Sequence, residues 1–184
     1  MKEILNRVLD EYEASSRLSS SSRALIIREL DSDDCYDAIS VAADCRLLEL
    51  ASKIAGKVSH SDQMVRWITI GVLLGRFKLP EYVPLGLNLA RNDDSLLVRG
   101  EALTSLGRVL PFVDDATSRK EVASYLVNVL EDPSEDNSIR EGAYDGIRVA
   151  TDGEEEIQPL QPFHPSEDID PVVVSRFLER FAHV

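Results

Sequence analysis

The sequence predicts an all-α protein assembled as a helical repeat array, and three observations carry that reading. Apolar residues recur at three- and four-residue intervals along most of the chain, and no segment alternates convincingly with a period of two. A short motif appears three times, as VRWITIGVLLG, VRGEALTSLG and IREGAYDGIR. In each copy an arginine (Arg66, Arg99, Arg140) follows a β-branched residue (Val65, Val98, Ile139) and precedes a small one three positions on (Thr69, Ala102, Ala143). Four residues further come Leu73, Leu106 and Ile147. The arginines are 33 and 41 residues apart, the period of helical solenoids, in which each unit buries its apolar face against the next.

An N-terminal helix over about residues 2–14 carries the stripe Ile4, Leu5, Val8, Leu9 and Tyr12. It runs into a serine-rich stretch at 15–22, which reads as a flexible link or a polar turn. A short helix with Ala24, Leu25, Ile26, Ile27 and Leu30 follows, and the DSDD at 31–34 breaks it and offers a cap to the next. Two further helices, about 34–44 and 46–58, complete a first unit that lacks the Val-Arg pair.

The second unit begins at Ser61 and Asp62, both good helix-capping types, and its first helix carries Val65, Ile68, Leu73 and Phe77. Pro80 and Pro84 delay its second helix, so Pro84 belongs in the first turn, with Val83, Leu87 and Ala90 facing inward. In the third unit Val98, Ala102, Leu106 and Leu110 align at intervals of four, Pro111 stops the helix, and Asp114 and Asp115 occupy the turn. Ser118 and Glu121 read as a capping box for the following helix, whose buried face is Val122, Leu126, Val129 and Leu130. EDPSED at 131–136 turns into the fourth unit, and the pattern ends after Ala150. Three prolines (Pro159, Pro162, Pro165) and the run Glu154, Glu155, Glu156 predict an extended loop at 151–169. A last helix starts with Asp170 as cap and Pro171 in the first position, and its Val173, Val174, Phe177, Leu178 and Phe181 are suited to sealing the open end of the stack. The domain reading is therefore 1–30 for the N-terminal helices and link, 31–150 for the repeat array, and 151–184 for the acidic loop and capping helix.

The stretch DDSLLVRGEALTSLG at 93–107, with its turn aspartate, Val-Arg pair, alanine three later and Leu-Gly beyond, resembles the HEAT repeat, especially its short bacterial form. The resemblance covers about residues 31–150 and is strongest over 61–150; Leu74 and Arg148 stand where Gly107 would be matched. It implies a right-handed α-α superhelix of helix pairs with the second helices on the concave side, closed by the C-terminal helix. It also implies that the repeated arginines pair with turn aspartates, Arg66 with Asp62, Arg99 with Asp94 and Arg140 with Asp136. It implies no reaction, because such arrays serve mainly as binding scaffolds.

Charge narrows the function classes. Thirty-three acids against 20 bases give a formal net charge of −13, which argues against neutralising nucleic-acid phosphates. No apolar run approaches the roughly 20 residues that span a bilayer, and the N-terminal MKEILNRVLDEYE lacks a signal-peptide core, so the expectation is a cytoplasmic protein. Cys35 and Cys45 read as buried packing. His60, His164 and His183 fall in a turn, a proline loop and the penultimate position, and neither nucleophile motif, metal-ligand spacing nor phosphate loop is present. The expectation is no enzyme, no cofactor and no metal.

In a solenoid the turns between units emerge along one edge, so Asp31, Asp33, Asp34, Asp62, Asp93, Asp94, Asp132, Glu135 and Asp136 are expected to form one negative row. Aspartate at a helix start also caps free N–H groups, which alone explains many of them. Residues 152–184 add eight acids against two bases, including Glu154, Glu155 and Glu156. Trp67 reads as a packing or half-exposed contact residue. Together Asp33, Asp34, Asp62, Trp67, Asp93, Asp94, Asp132, Glu135, Asp136 and Glu154–Glu156 are the candidate protein-binding residues. Three functions remain open: an acidic binding protein, monomeric when free, that neutralises a basic partner, most concretely an immunity protein masking a cationic nuclease toxin; a general scaffold or adaptor whose acidity serves solubility; or a HEAT-like DNA glycosylase or bilin lyase-like enzyme.

Overall fold

Helix starts marked at Asp62, Pro84 and Asp170 in the sequence become helix starts in space, whereas the cap expected from DSDD at 31–34 is not made: the helix that follows starts after Cys35 with no side-chain cap bond. The computed structural model describes residues 2–153 and 163–182, and all the regular structure among them is helical. The chain divides into two compact units, Met1–Phe77 and Lys78–Val184. The division falls inside the expected array of 31–150, where Lys78 adopts a left-handed φ of 56° and Pro80 two residues later prevents helix from continuing.

The first unit contains α1 (Lys2–Ser15), α2 (Ser20–Leu30), α3 (Tyr36–Asp44), a 310 turn at Leu48–Leu50, α4 (Ala51–Ala55) and α5 (Gln63–Ile70). Leu5, Val8, Ile26, Leu30, Ile39 and Ile54 form its core. The serine-rich stretch is ordered rather than a link. Ser19 caps α2 by accepting from the Ser22 amide, Ser20–Ser22 make the first helical turn, and Glu11 of α1 accepts the Ser19 amide at 2.6 Å as well as the Ser22 hydroxyl. The expected helix over 46–58 is replaced by the 310 turn and the five-residue α4, because Arg46 takes a φ of 52° that a helix does not admit. Cys35 and Cys45 are free and buried; desolvation, reinforced by the charges of Asp44 and Glu11, pushes the Cys45 thiol up to about 11. The first Val-Arg helix continues beyond α5 as a π-helical stretch, Gly71–Arg76, a local widening that apolar periodicity does not encode.

The second unit contains a 310 turn at Pro80–Tyr82, α6 (Val83–Asn92), α7 (Leu96–Val109), a 310 turn at Leu110–Phe112, α8 (Ala116–Glu131), α9 (Asn137–Asp152), the short α10 (Pro165–Asp168) and α11 (Pro171–Phe181). Pro84 sits in the first turn of α6, as its fixed φ favours. The cap of α8 is Asp115, whose carboxylate accepts the Ser118 amide at 2.7 Å, so the expected Ser118–Glu121 capping box is displaced by three residues. α11 begins at Asp170 and Pro171 as read, and lays Val173, Phe177 and Phe181 against α8 and α9. Burying a phenylalanine such as Phe177 contributes roughly 1.5–3 kcal/mol.

α7 and α9 are the closest pair in this unit. A Cβ on Gly107 would lie 2.0 Å from the Gly146 carbonyl oxygen, and one on Gly142 would lie 2.8 Å from the Gly100 oxygen. Gly100 meets Gly142 and Gly107 meets Gly146, so the two helices run parallel, joined in the chain through α8. Their backbones touch, which draws the axes inside the roughly 8–10 Å of ordinary helix pairs. The Thr104 hydroxyl lies 3.2 Å from both the Gly100 and Gly142 carbonyl oxygens and joins the two helices.

The same glycines define a test. Gly107→Ala forces the two backbones apart and is expected to destabilise the fold by about 3 kcal/mol. Gly100→Ala, whose Cβ finds its nearest neighbour at 3.8 Å, gains helix propensity and is expected to stabilise by up to ~1 kcal/mol. Urea denaturation of the two variants checks the contrast.

Candidate functional site

Four helices share a local design. An N-cap residue (Asp62, Ser95, Asp115, Asp136) is followed four positions later by arginine (Arg66, Arg99, Arg119, Arg140). That position turns the guanidinium back toward the segment that precedes the helix, where main-chain carbonyls have no helical partner. Arg99 Nε donates to Ala90 O at 3.0 Å, Arg140 Nε to Leu130 O at 2.9 Å and Arg119 Nε to Val113 O at 2.9 Å. Arg119 also reaches Asp114 O at 3.1 Å, and Arg66 donates to His60 O at 2.9 Å and Ser61 O at 3.1 Å. Near the C-terminus, Arg180 does the same for Ala150 O at 3.2 Å at the end of α9. Each such bond from a charged donor contributes roughly 1.5–3 kcal/mol and opposes the negative end of a helix dipole where one is present.

These geometries correct the expected arginine–aspartate ladder. Arg140 makes no ion pair among the described residues; Asp136 instead accepts from the Ser138 amide at 2.8 Å and its hydroxyl at 2.6 Å. Asp62 accepts the Met64 amide at 2.8 Å. Arg99 does meet a carboxylate, but that of Glu135 on the neighbouring turn, at 2.7 Å. Arg119 escapes a search for Val-Arg pairs because Ser118 precedes it, and the signal that finds it is the capping aspartate four residues before.

Several of the expected binding residues are employed by the fold, and several are exposed. Asp93 accepts the Ser95 amide at 2.9 Å, and Asp132 accepts the Ser134 amide at 2.8 Å. The Ser134 and Ser138 hydroxyls, with the amides behind them, hold the Asp132 and Asp136 carboxyls below the usual carboxylate range. In the second unit the turns 93–95 and 132–136 lie side by side, because Arg99 bonds Ala90 on one flank and Glu135 on the other. Asp94 is exposed at this end. In the first unit Asp33 and Asp34 are exposed on the turn before α3 and make no hydrogen bond or ion pair among the described residues, whereas Asp31 pairs with Lys53 at 2.5 Å. Trp67 is half-buried on α5. Glu154, Glu155 and Glu156 lie outside the described residues, as does most of the expected 151–169 loop.

A charged network that the sequence did not disclose lies along α7 and α9. Glu101 accepts from the Ser105 hydroxyl at 2.8 Å and from Arg108 at 3.0 Å, and Asp145 faces Arg148 at 3.4 Å. Burial pushes the Glu101 carboxyl up against the pull of Arg108, and likewise Asp145 against Arg148 and Arg108. Glu141 is raised by burial and by the charges of Asp145 and Asp168. Among the described residues no three carboxylate, histidine or cysteine side chains are grouped to hold a metal, and no helix is long and apolar enough to cross a membrane.

A raised carboxyl takes up its proton in the folded state before it does so in the unfolded chain. Stability from Glu101 therefore grows as pH falls through its raised value and levels off near the ordinary 4.5. Asp115, Asp132 and Asp136 act in the opposite sense, their contribution being lost only as pH falls below 3.8. Urea midpoints measured from neutral pH down to about 4.5 are expected to show a smaller acid-side gain in Glu101→Gln than in the parent.

No family model, curated protein or solved structure matches the chain.

Proposed function

We propose that the chain is a HEAT-like, right-handed α-α binding module without chemistry of its own, monomeric when free, that neutralises a basic protein partner. Its most concrete form is an immunity protein covering a cationic nuclease toxin. The parallel stacking of α7 and α9, joined in the chain through α8, supports the repeat reading, since helix-pair arrays place successive first helices side by side in this way.

The observation that carries the functional reading is the commitment of several cations to the main chain of a strongly acidic protein. Five of the 20 basic residues, Arg66, Arg99, Arg119, Arg140 and Arg180, direct guanidinium N–H groups at main-chain carbonyls. Cations so placed serve the fold, while Asp33 and Asp34 stand exposed on a turn without a hydrogen bond or ion pair among the described residues, and the formal net charge is −13. A nuclease must be basic where it holds nucleic acid, so a rigid negative surface associates with it rapidly at low salt.

A second reading has its own support. Asp62, Asp115 and Asp136 accept amides at helix starts and Asp132 accepts one within a turn, which favours a scaffold whose acids serve local structure and solubility.

Calorimetric titration with catalytically inactivated basic nuclease domains, alongside acidic domains of similar size, separates the two. Binding confined to the basic set, weakening at least about tenfold between about 20 and about 200 mM salt, is the expected result. Binding to basic and acidic domains alike, indifferent to salt, supports the scaffold instead. Failure of every basic domain to bind removes the neutralising function.

A further inference from the structure

The second unit carries a cleft of about 530 Å3 between the N-terminal part of α6 and that of α8. The two elements that flank it come from sequence punctuation. Pro80 opens the turn that leads into α6, and Pro111 ends the helical course of α7 so that Phe112 stands out at the turn before α8. Phe112 is 52% exposed, although its neighbour Val113 is buried at 4%. Arg119 clamps that turn through Val113 O and Asp114 O, so the exposed ring rests on a fixed backbone.

The apolar part of the cleft is Val83, Pro84, Leu87 and Phe112. Its charged lining is unbalanced: Glu81, Asp114, Asp115 and Glu121 against Arg91 alone. Arg91 is already held, 3.1 Å from Glu121 and with its guanidinium 4.7 Å from the centre of the Tyr125 ring. Asp115 is engaged as the cap of α8. Glu81 and Asp114 remain, exposed carboxylates whose side chains make no hydrogen bond or ion pair among the described residues. An apolar floor with an exposed aromatic ring is the arrangement that anchors a partner side chain, and the surplus carboxylates select what flanks it.

We propose that this cleft is a docking site for a cationic segment of a protein partner, one that seats an aliphatic or aromatic side chain on Phe112 and Leu87 and presents lysine or arginine to Glu81 and Asp114. The occupant follows from complementarity of charge: an acidic segment meets repulsion from Glu81 and Asp114, and a polyamine has no side chain for the floor. The inference rests on the reading that the partner is a basic protein, and places its contact at the cleft rather than on the turns at 93–95 and 132–136.

The test is a titration of the isotope-labelled full chain, followed by amide NMR, with three probes: a capped hexapeptide Lys-Lys-Leu-Phe-Lys-Arg, the same peptide with both central residues replaced by serine, and spermine. The expected result is saturable shifts at Val83, Leu87, Phe112 and Asp114 with the first peptide, and binding weaker by about tenfold or more for the other two. Phe112→Ser, at an exposed position, is expected to reduce affinity for the anchored peptide about tenfold, and the double change Glu81→Lys, Asp114→Lys to abolish it. Thermal melts establish that the variants fold; if either does not, the shift map of the parent decides alone. Equal binding of the anchored and serine peptides, or shifts confined to the turns at 93–95 and 132–136, overturns the cleft while leaving a basic partner in place. Absence of any shift at the cleft overturns it equally, and the nuclease-domain titration then decides separately whether a basic partner exists.

Discussion

The structure depends on arginines that look backward. In α5, α7, α8 and α9 the fourth helical residue is arginine, and in each case its guanidinium bonds main-chain carbonyls of the segment before the helix. A carbonyl left over at a helix end or in a tight turn needs a donor, and a planar cation with five N–H groups supplies several from one side chain. The consequence is double. The turns are pinned to the helices that follow them, and these guanidinium groups are committed to main-chain carbonyls of each unit.

Close packing of α7 on α9 is the second constraint. Gly107 and Gly142 leave no room for side chains, so the two helices meet backbone to backbone and Thr104 crosses between them. Contact this close fixes the register of the two helices, and with it the alignment of the turns that precede them, where Arg99 reaches Glu135. The Glu101–Arg108 and Asp145–Arg148 pairs lie on the same helices and are held partly out of water, a position that costs each carboxylate solvation and accounts for the upward shift of both. α11 then covers α8 and α9 with Val173, Phe177 and Phe181.

Much of this was legible in the sequence, because periodicity and capping are local. The all-helical class, the starts of α5, α9 and α11 at Asp62, Asp136 and Asp170, the place of Pro84 in the first turn of α6 and the role of Phe177 and Phe181 all follow from residues within a few positions. What was missed depends on partners far away in the chain or on backbone states with no side-chain signature. Ser15–Ser22 read as a flexible link or a polar turn, and its part in α2 went unread, because its organising carboxylate, Glu11, lies in the preceding helix. The break at Arg46 and the π-helical turn after Ile70 leave the apolar pattern unchanged. The arginines were recognised as structural, but aspartates were expected to receive them, since a sequence displays carboxylates and hides carbonyls. Of the expected contact residues, Asp62 and Asp136 also cap helices and Asp132 closes a turn, roles their place before a helix or within a turn makes legible, whereas the cleft beside Phe112 gave no sign, because it brings together residues from α6 and from the turn before α8.

The functional proposal grows from the same bonds. Guanidinium groups that donate to main-chain carbonyls are committed to the fold, within a chain whose formal charge is −13. The most direct measurement is of the arginine Nε–H groups by nitrogen-15 NMR of the intact chain at neutral pH. The account predicts slowed solvent exchange for Arg99, Arg119 and Arg140, with through-hydrogen-bond couplings to the carbonyl carbons of Ala90, Val113 and Leu130, and fast exchange for the exposed Arg17. Exchange of all four at the same fast rate, with no such couplings, would contradict it.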